Sequence, residues 1–151
     1  MHTFRGVRVD SCVSALLCLR SVPKSVHSLK GTVTAAPKRP TLACHFYQTE
    51  AGNEPVREWL KGLPAHVRRE VGSDIQQVQW RWPIGKPLVD GFGNGLYEVR
   101  TGVDTNIYRV LFCIEDGMMV LLHGFTKKSQ KTPAADLETA KKRQREVEKS
   151  R

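Results

Sequence analysis

The chain has 151 residues, 40% apolar and 26% charged, enough for one domain with a buried core and too few for two comfortable ones. Its net charge of +9 is unevenly spread: residues 1–43 hold seven Lys/Arg and one acid, and the remainder carries only +3, so a nucleic-acid reading must rest on local clusters. No apolar run reaches the length of a membrane span, which argues against a membrane partner.

Val13–Leu19, after Arg5 and Arg8, faintly imitates a signal peptide, but Asp10 and Arg20 bracket a short apolar run. Residues 20–43 are rich in Ser, Thr, Pro, Lys and Arg, which is linker composition. Residues 1–43 therefore read as a poorly ordered basic extension, or as sequence upstream of the true start of translation, and residues 44–151 as the domain. Cys12, Cys18, Cys44 and Cys113 show neither metal-ligand spacing nor the density of a disulfide framework; they read as reduced thiols of a cytoplasmic protein.

The first strand is expected at "CHFYQT" (Cys44–Thr49). Asn53 then offers an N-cap, with Pro55 in the first turn. Val56, Trp59, Leu60 and Leu63 follow at helical spacing, and Gly62-Leu63-Pro64 breaks the helix. A second helix is expected from about Pro64 to Arg81, with Val67, Val71, Ile75 and Val78 on one stripe. "PIGKPLVDGFGNG" reads as turns. Strands are expected at 96–101, 107–114 and 118–125, separated by short Gly/Asp turns, as an antiparallel meander. Thr132 reads as the N-cap of a last helix, with Pro133 at its first position and Leu137, Ala140 and Val147 as a thin apolar stripe. The pattern β-α-α-β-β-β-α predicts an α+β domain with helices packed on one face of a small antiparallel sheet. Trp59, Leu60, Val71, Ile75, Val110 and Phe112 are its expected core.

Period-2 alternation puts Leu96, Glu98 and Arg100 on one face of their strand, and Ile107, Arg109, Leu111 and Cys113 on one face of the next. Arg109 is a guanidinium inside an apolar strand. It either pairs with Glu98 or Glu115 or is a fixed cation for an anionic ligand. His123 precedes Gly124, a residue that permits close approach of another backbone. Lys127, Lys128 and Lys131 then crowd one loop. Adjacent strands can gather Arg100, Arg109 and this loop at one end of the sheet, with Tyr97 and Tyr108 as phenols nearby. Such a basic cleft suits a phosphodiester. The sequence holds no acidic cluster for Mg²⁺ and no zinc pattern. RNA can be cut without metal, because its own 2′-OH attacks the neighbouring phosphate; the protein then supplies a base, cations and a proton for the leaving oxygen.

"LYEVR", "YRVLF", "LLHGFTKKSQKTP" and a following helix with Ala140 and Arg143 carry a resemblance over roughly residues 44–145. The sequence resembles the RelE/HigB superfamily of bacterial toxin endoribonucleases, in its HigB-like, phage-related branch. The resemblance implies a RelE-like fold and a toxin of a toxin–antitoxin system: a ribosome-dependent mRNA endoribonuclease that inhibits translation. It implies no metal and no cofactor; the partners are an antitoxin, usually with a helix-turn-helix domain, and the ribosome with its mRNA. Carried over by position, the catalytic candidates are Arg100, Arg109, Lys127 and Lys128; His123 joins them as a possible base. Lys86, Tyr97 and Lys131 are the RNA-binding candidates. Some members place a His or Tyr after this point, whereas this chain has neither beyond Thr132, which leaves the base open among His123, Lys127 and Lys128, or absent. A ParE-like gyrase inhibitor or an inactive phage relative, binding without cleaving, is the alternative.

Deleting residues 1–40 should leave the melting temperature and antitoxin binding nearly unchanged. A truncated protein that melts without cooperativity would refute the boundary.

Overall fold

A computed structural model describes residues 39–127 and 131–150. The expected N-terminal extension, up to residue 38, lies outside the described residues, as does Lys128. The elements are β1 (Ala43–Phe46), α1 (Pro55–Gly62), α2 (Ala65–Arg81), β2 (Val89–Gly93), β3 (Leu96–Val103), β4 (Asn106–Glu115), β5 (Met118–Lys127) and α3 (Ala134–Lys149). The five strands form one sheet in the order β1-β5-β4-β3-β2.

The meander β3-β4-β5 is antiparallel, as its turns predict. Two of the hairpins close through two-residue loops whose central residues both have positive φ, Asn94-Gly95 and Asp116-Gly117. These residue pairs suit the type I′ turns that match strand twist. Three expectations need correction. The sheet has a fifth strand, β2, in the stretch expected to be turns; it is a short edge strand with a bulge between Gly91 and Gly93. The sheet is mixed rather than antiparallel, because β1 pairs with β5 in parallel through Cys44↔Met119 and Phe46↔Leu121. A parallel pair needs a crossover, and the α1-α2 hairpin lies in that connection.

The third correction concerns the layers. One sheet face carries Val99, Tyr108, Val110, Phe112, Met119 and Leu121 and packs on Val56 and Leu60 of α1 and Val67, Val71, Ile75 and Val78 of α2. The other carries Leu96, Leu111, Cys113, Val120 and Leu122 and packs on Ala140 of α3, with Leu137 and Val147 at its border. The helices therefore cover both faces. Alternating residues of β4 are apolar on each side, Val110 and Phe112 against Leu111 and Cys113, so each face had to be covered. Cys113 is simply core: burial pushes its thiol up to about 11.

The expected core residues Leu60, Val71, Ile75, Val110 and Phe112 are all at most 1% exposed, and Trp59 packs at their edge. Trp59 also explains Gly124: a Cβ there would lie 2.3 Å from the indole Cε3, so the close approach is to a ring and not to a backbone. Neither expected N-cap caps a helix. α1 starts after Glu54 and α3 after Pro133, and neither has a side-chain cap bond. Thr132 is engaged elsewhere. Among the described residues, no helix is long and apolar enough to cross a membrane.

Phe112→Ala should cost about 3–5 kcal/mol, the usual figure for emptying a buried aromatic site. Equilibrium urea unfolding measures it; a loss under one tenth of that would mean the cavity had collapsed without cost.

Candidate functional site

The site grows from the register of β3 and β4. Arg100 and Arg109 are directly opposite each other, both on the α3 face. Two guanidinium groups in that position repel. Glu98, two residues along the same face of β3, resolves the conflict. Its Oε1 accepts from Arg109 Nη1 at 2.9 Å and from Arg100 Nε at 2.6 Å. The Glu98 and Arg109 side chains are both 0% exposed, so of the two roles open to Arg109 in the sequence, the geometry supplies the ion pair with Glu98.

Thr132 completes the buried group. Its hydroxyl accepts from Arg109 Nη1 at 2.6 Å and donates to Glu98 Oε2 at 2.5 Å, which uses the hydroxyl in both directions. The end of the lysine loop is thereby pinned to the sheet one residue before the Pro133 that precedes α3. Toward solvent, Arg100 Nη2 donates to Asp90 Oδ2 at 2.8 Å, and Lys86 Nζ lies 3.4 Å from Asp90 Oδ1. Burial works to raise the Asp90 pKa, but the Gly91 N–H, Arg100 and Lys86 together hold its carboxyl below the usual value. Asp90 is thus ionised at neutral pH, and its stabilising contribution is lost only as pH falls through that lowered value.

The chain Lys86–Asp90–Arg100–Glu98–Arg109–Thr132 runs from an exposed rim, where the Lys86 side chain is 72% accessible, to the interior. Arg100 is intermediate at 27%. Lys127 is at the end of β5 opposite Ile107, with its Nζ 2.9 Å from the Lys131 carbonyl, and Lys131 is exposed. The structure thus brings Arg100, Arg109, Lys127, Lys131 and Lys86 to one half of the α3 face, with Arg109 fully buried, Arg100 half-buried and Lys86 and Lys131 exposed. Five cations stand there against the two acids Asp90 and Glu98. A surplus of fixed positive charge beside a low-dielectric floor favours an anion.

The phenols do not join it. Tyr97 stacks on Phe112 and meets Trp82 edge-on, and Tyr108 lies in the same core, on the opposite face of the sheet. His123 is on the α3 face because of a bulge. β5 shifts register against β4 between Leu111 and Phe112, so the consecutive residues Leu122 and His123 both turn toward α3. There His123 Nε2 is 2.8 Å from Asp136 Oδ1, and Arg143 Nη1 approaches Nδ1 at 3.3 Å while donating to the Leu122 carbonyl at 2.7 Å. The arrangement fits the tautomer that donates from Nε2 and accepts at Nδ1. Arg143 also lies over the Tyr47 ring, whose hydroxyl donates to Glu146; desolvation and that carboxylate push the Tyr47 phenol up to about 12. His123 therefore ties α3 to the sheet with both ring nitrogens.

Sequence reasoning missed Asp90, Thr132 as a sheet contact, Asp136 and Arg143 as members of these networks. Only Arg143 had a signal, its place in the quoted helix; the others depend on which strands and helices meet. Among the described residues, no group of three or more His, Cys, Asp or Glu is arranged to hold a metal ion.

Arg109→Ala should lower stability by about 3–5 kcal/mol, because it leaves Glu98 charged and buried with two of its three partners. Urea denaturation of the variant checks this, and an unchanged midpoint would contradict the buried pairing.

No curated protein matches the chain. The family model described as phage derived protein Gp49-like (DUF891) matches residues 58–145, more than half the chain and every described candidate residue, though not β1. With that match running from α1 to the penultimate turn of α3, the chain belongs to the Gp49-like phage-derived protein family, part of the RelE/HigB-like toxin superfamily.

Proposed function

We propose that the protein is the toxin of a toxin–antitoxin pair and cuts mRNA on the ribosome by metal-independent transesterification, in the manner of the HigB-like branch. The observation that carries this reading is the concentration of Arg100, Lys127, Lys131 and Lys86 over the buried Glu98–Arg109 pair, on a sheet half that α3 leaves open. In the reaction, the 2′-oxygen attacks the adjacent phosphorus, a 2′,3′-cyclic phosphate forms, and the 5′-oxygen leaves with a proton. Arg100 is the cation best prepared for the developing charge. Two carboxylates hold its plane, and its side chain remains accessible. An oriented guanidinium can meet two phosphate oxygens at once.

Arg109, in this proposal, acts from behind. It holds Glu98 and Thr132, and through them the plane of Arg100 and the end of the lysine loop. Lys127 contacts phosphate, and proton transfer falls to Lys127 and Lys128, since both His123 ring nitrogens are already engaged. The antitoxin, a helix-turn-helix protein, would neutralise the toxin by covering the open half of the face. The burial of Arg109 and the engagement of His123 also favour the second reading, a binding-only protein of this fold such as a ParE-like gyrase inhibitor.

Mapping mRNA 5′ ends after a brief induction separates the two. The endoribonuclease reading expects new ends within translated frames, and Arg100→Ala to lower single-turnover cleavage of ribosome-bound mRNA by about 10²–10³, beyond the share of folded protein that a melting curve of the same variant reports lost with Glu98's partner. Lys131→Ala should give only a salt-dependent loss of RNA affinity. Growth arrest without new ends would leave the binder.

A further inference from the structure

A second bulge lies at the β2 edge of the sheet. β2 pairs Gly91 with Tyr97 and Gly93 with Leu96, so Phe92 is the extra residue between them. Its side chain joins the α3 face, the face of Asp90 and Arg100. Beside it is a cavity of about 240 Å³ between the β2–β3 turn and the flank of α3. Phe92 and Leu96 form its apolar lining, and Lys141, Gln144, Arg145 and Glu148 bring polar groups from α3. The volume is below the ~300–1,000 Å³ of pockets for drug-sized ligands and suits a single ring system.

Two features make this more than a packing defect. Gln144 Nε2 donates to the Asn94 carbonyl at 2.8 Å, which ties the hairpin to α3 and fixes the two cavity walls relative to each other. Arg145 is exposed at the rim, while Lys141 is paired with Glu138 at 3.0 Å. The cavity also neighbours the basic cluster along the chain: Phe92 is two residues from Asp90, roughly 7 Å at strand spacing. An aromatic ring with cations at its edge, next to a phosphate-binding surface, is the combination that holds single-stranded nucleic acid. Unpaired RNA bases splay onto aromatic side chains, and polar groups such as those of Gln144 and Glu148 can meet a base edge.

We infer that the Phe92 cavity is a base-binding subsite, in which one unpaired RNA base stacks on the Phe92 ring while the phosphate beside it is held by Arg145. This rests on the RNA reading above and extends it from the cut phosphate to a neighbouring nucleotide. Substrate would run along the β2–β3 flank of α3, between the Arg100–Asp90 pair and the hairpin turn.

The test uses the full chain and two fluorescein-labelled five-nucleotide RNAs, one natural and one with abasic sites but the same phosphates. Their binding is followed by anisotropy over a salt series. The wild type should bind the natural strand about tenfold or more tightly than the abasic one. Phe92→Leu, which keeps an apolar side chain, should abolish that preference without changing the salt slope; Phe92→Trp should retain it. Arg145→Ala should weaken both strands and reduce the salt slope by about 0.7. Melting curves of each variant report folding. Equal affinity for the two strands, a Phe92→Leu protein indistinguishable from wild type, or no binding of either strand would overturn the subsite. Cleavage is read separately: base preference without new mRNA ends keeps the subsite and removes the endonuclease, and new ends without base preference do the reverse.

Discussion

The Glu98 carboxylate is the constraint on which the open half of the molecule depends. A buried charge is costly unless nearly every lone pair has a partner. Here the partners come from three separate places: Arg100 beside it on β3, Arg109 across on β4, and Thr132 at the end of the loop before α3. Each contact restricts something different. The Arg109 bond favours one strand register, since a slip by one residue would turn the guanidinium to the other face. The Thr132 bond fixes where the lysine loop returns to the sheet. Arg100 passes the constraint outward to Asp90 on the edge strand. A network of charge-assisted bonds in a low-dielectric setting is strong when complete and weak when any member is missing, which makes it suited to holding a surface in one shape.

The two faces of the sheet divide the work. One is sealed by the α1-α2 hairpin, with Tyr97, Trp82 and Phe112 in mutual aromatic contact and Asp74 of α2 accepting from Thr101 at 2.7 Å. The other is covered by α3 and, over Glu98 and Arg109, by Thr132, with Arg100, Lys86 and Lys131 reaching solvent beside them. The β5 register shift serves this second face. Without the β5 bulge, strict alternation would send His123 toward α1; with it, His123 meets Asp136 and Arg143. Phe92 needs no such help: it follows Asp90 by two residues and reaches the α3 face by alternation, and the β2 bulge re-aims Gly93 instead. Bulges disturb a ladder locally and re-aim a side chain, as the β5 bulge does for His123.

The placement of Arg109 separates two kinds of cation. One is accessible and held in plane by carboxylates, as Arg100 is; the other is enclosed and acts on its neighbours. Both lie in β-strands with similar flanking residues, and the resemblance treats them alike. Their difference comes from position relative to the central strand: Arg109 is on β4, which has strands on both sides and a loop above, and Arg100 is on β3, next to the short edge strand.

The sequence by itself determined the elements whose signals are local and repetitive. The stripe Val67, Val71, Ile75, Val78 marked α2, the alternation in β3, β4 and β5 marked the meander, and short turns containing Gly-Val-Asp and Glu-Asp-Gly separated its strands. It also put Arg100 and Glu98 on one strand face and held Arg109's pairing with Glu98 among its options, because period-2 geometry is a property of the strand alone. What only the tertiary structure decided is non-local. The parallel pairing of β1, the strand status of the glycine-rich β2, the helices on opposite faces, and the use of Thr132 as a sheet contact instead of a cap each depend on an element far away in the chain. So do the two bulges: a single inserted residue in a ladder leaves no period of its own in the sequence, and its effect on His123 exists only once a partner strand fixes the register against which it is counted.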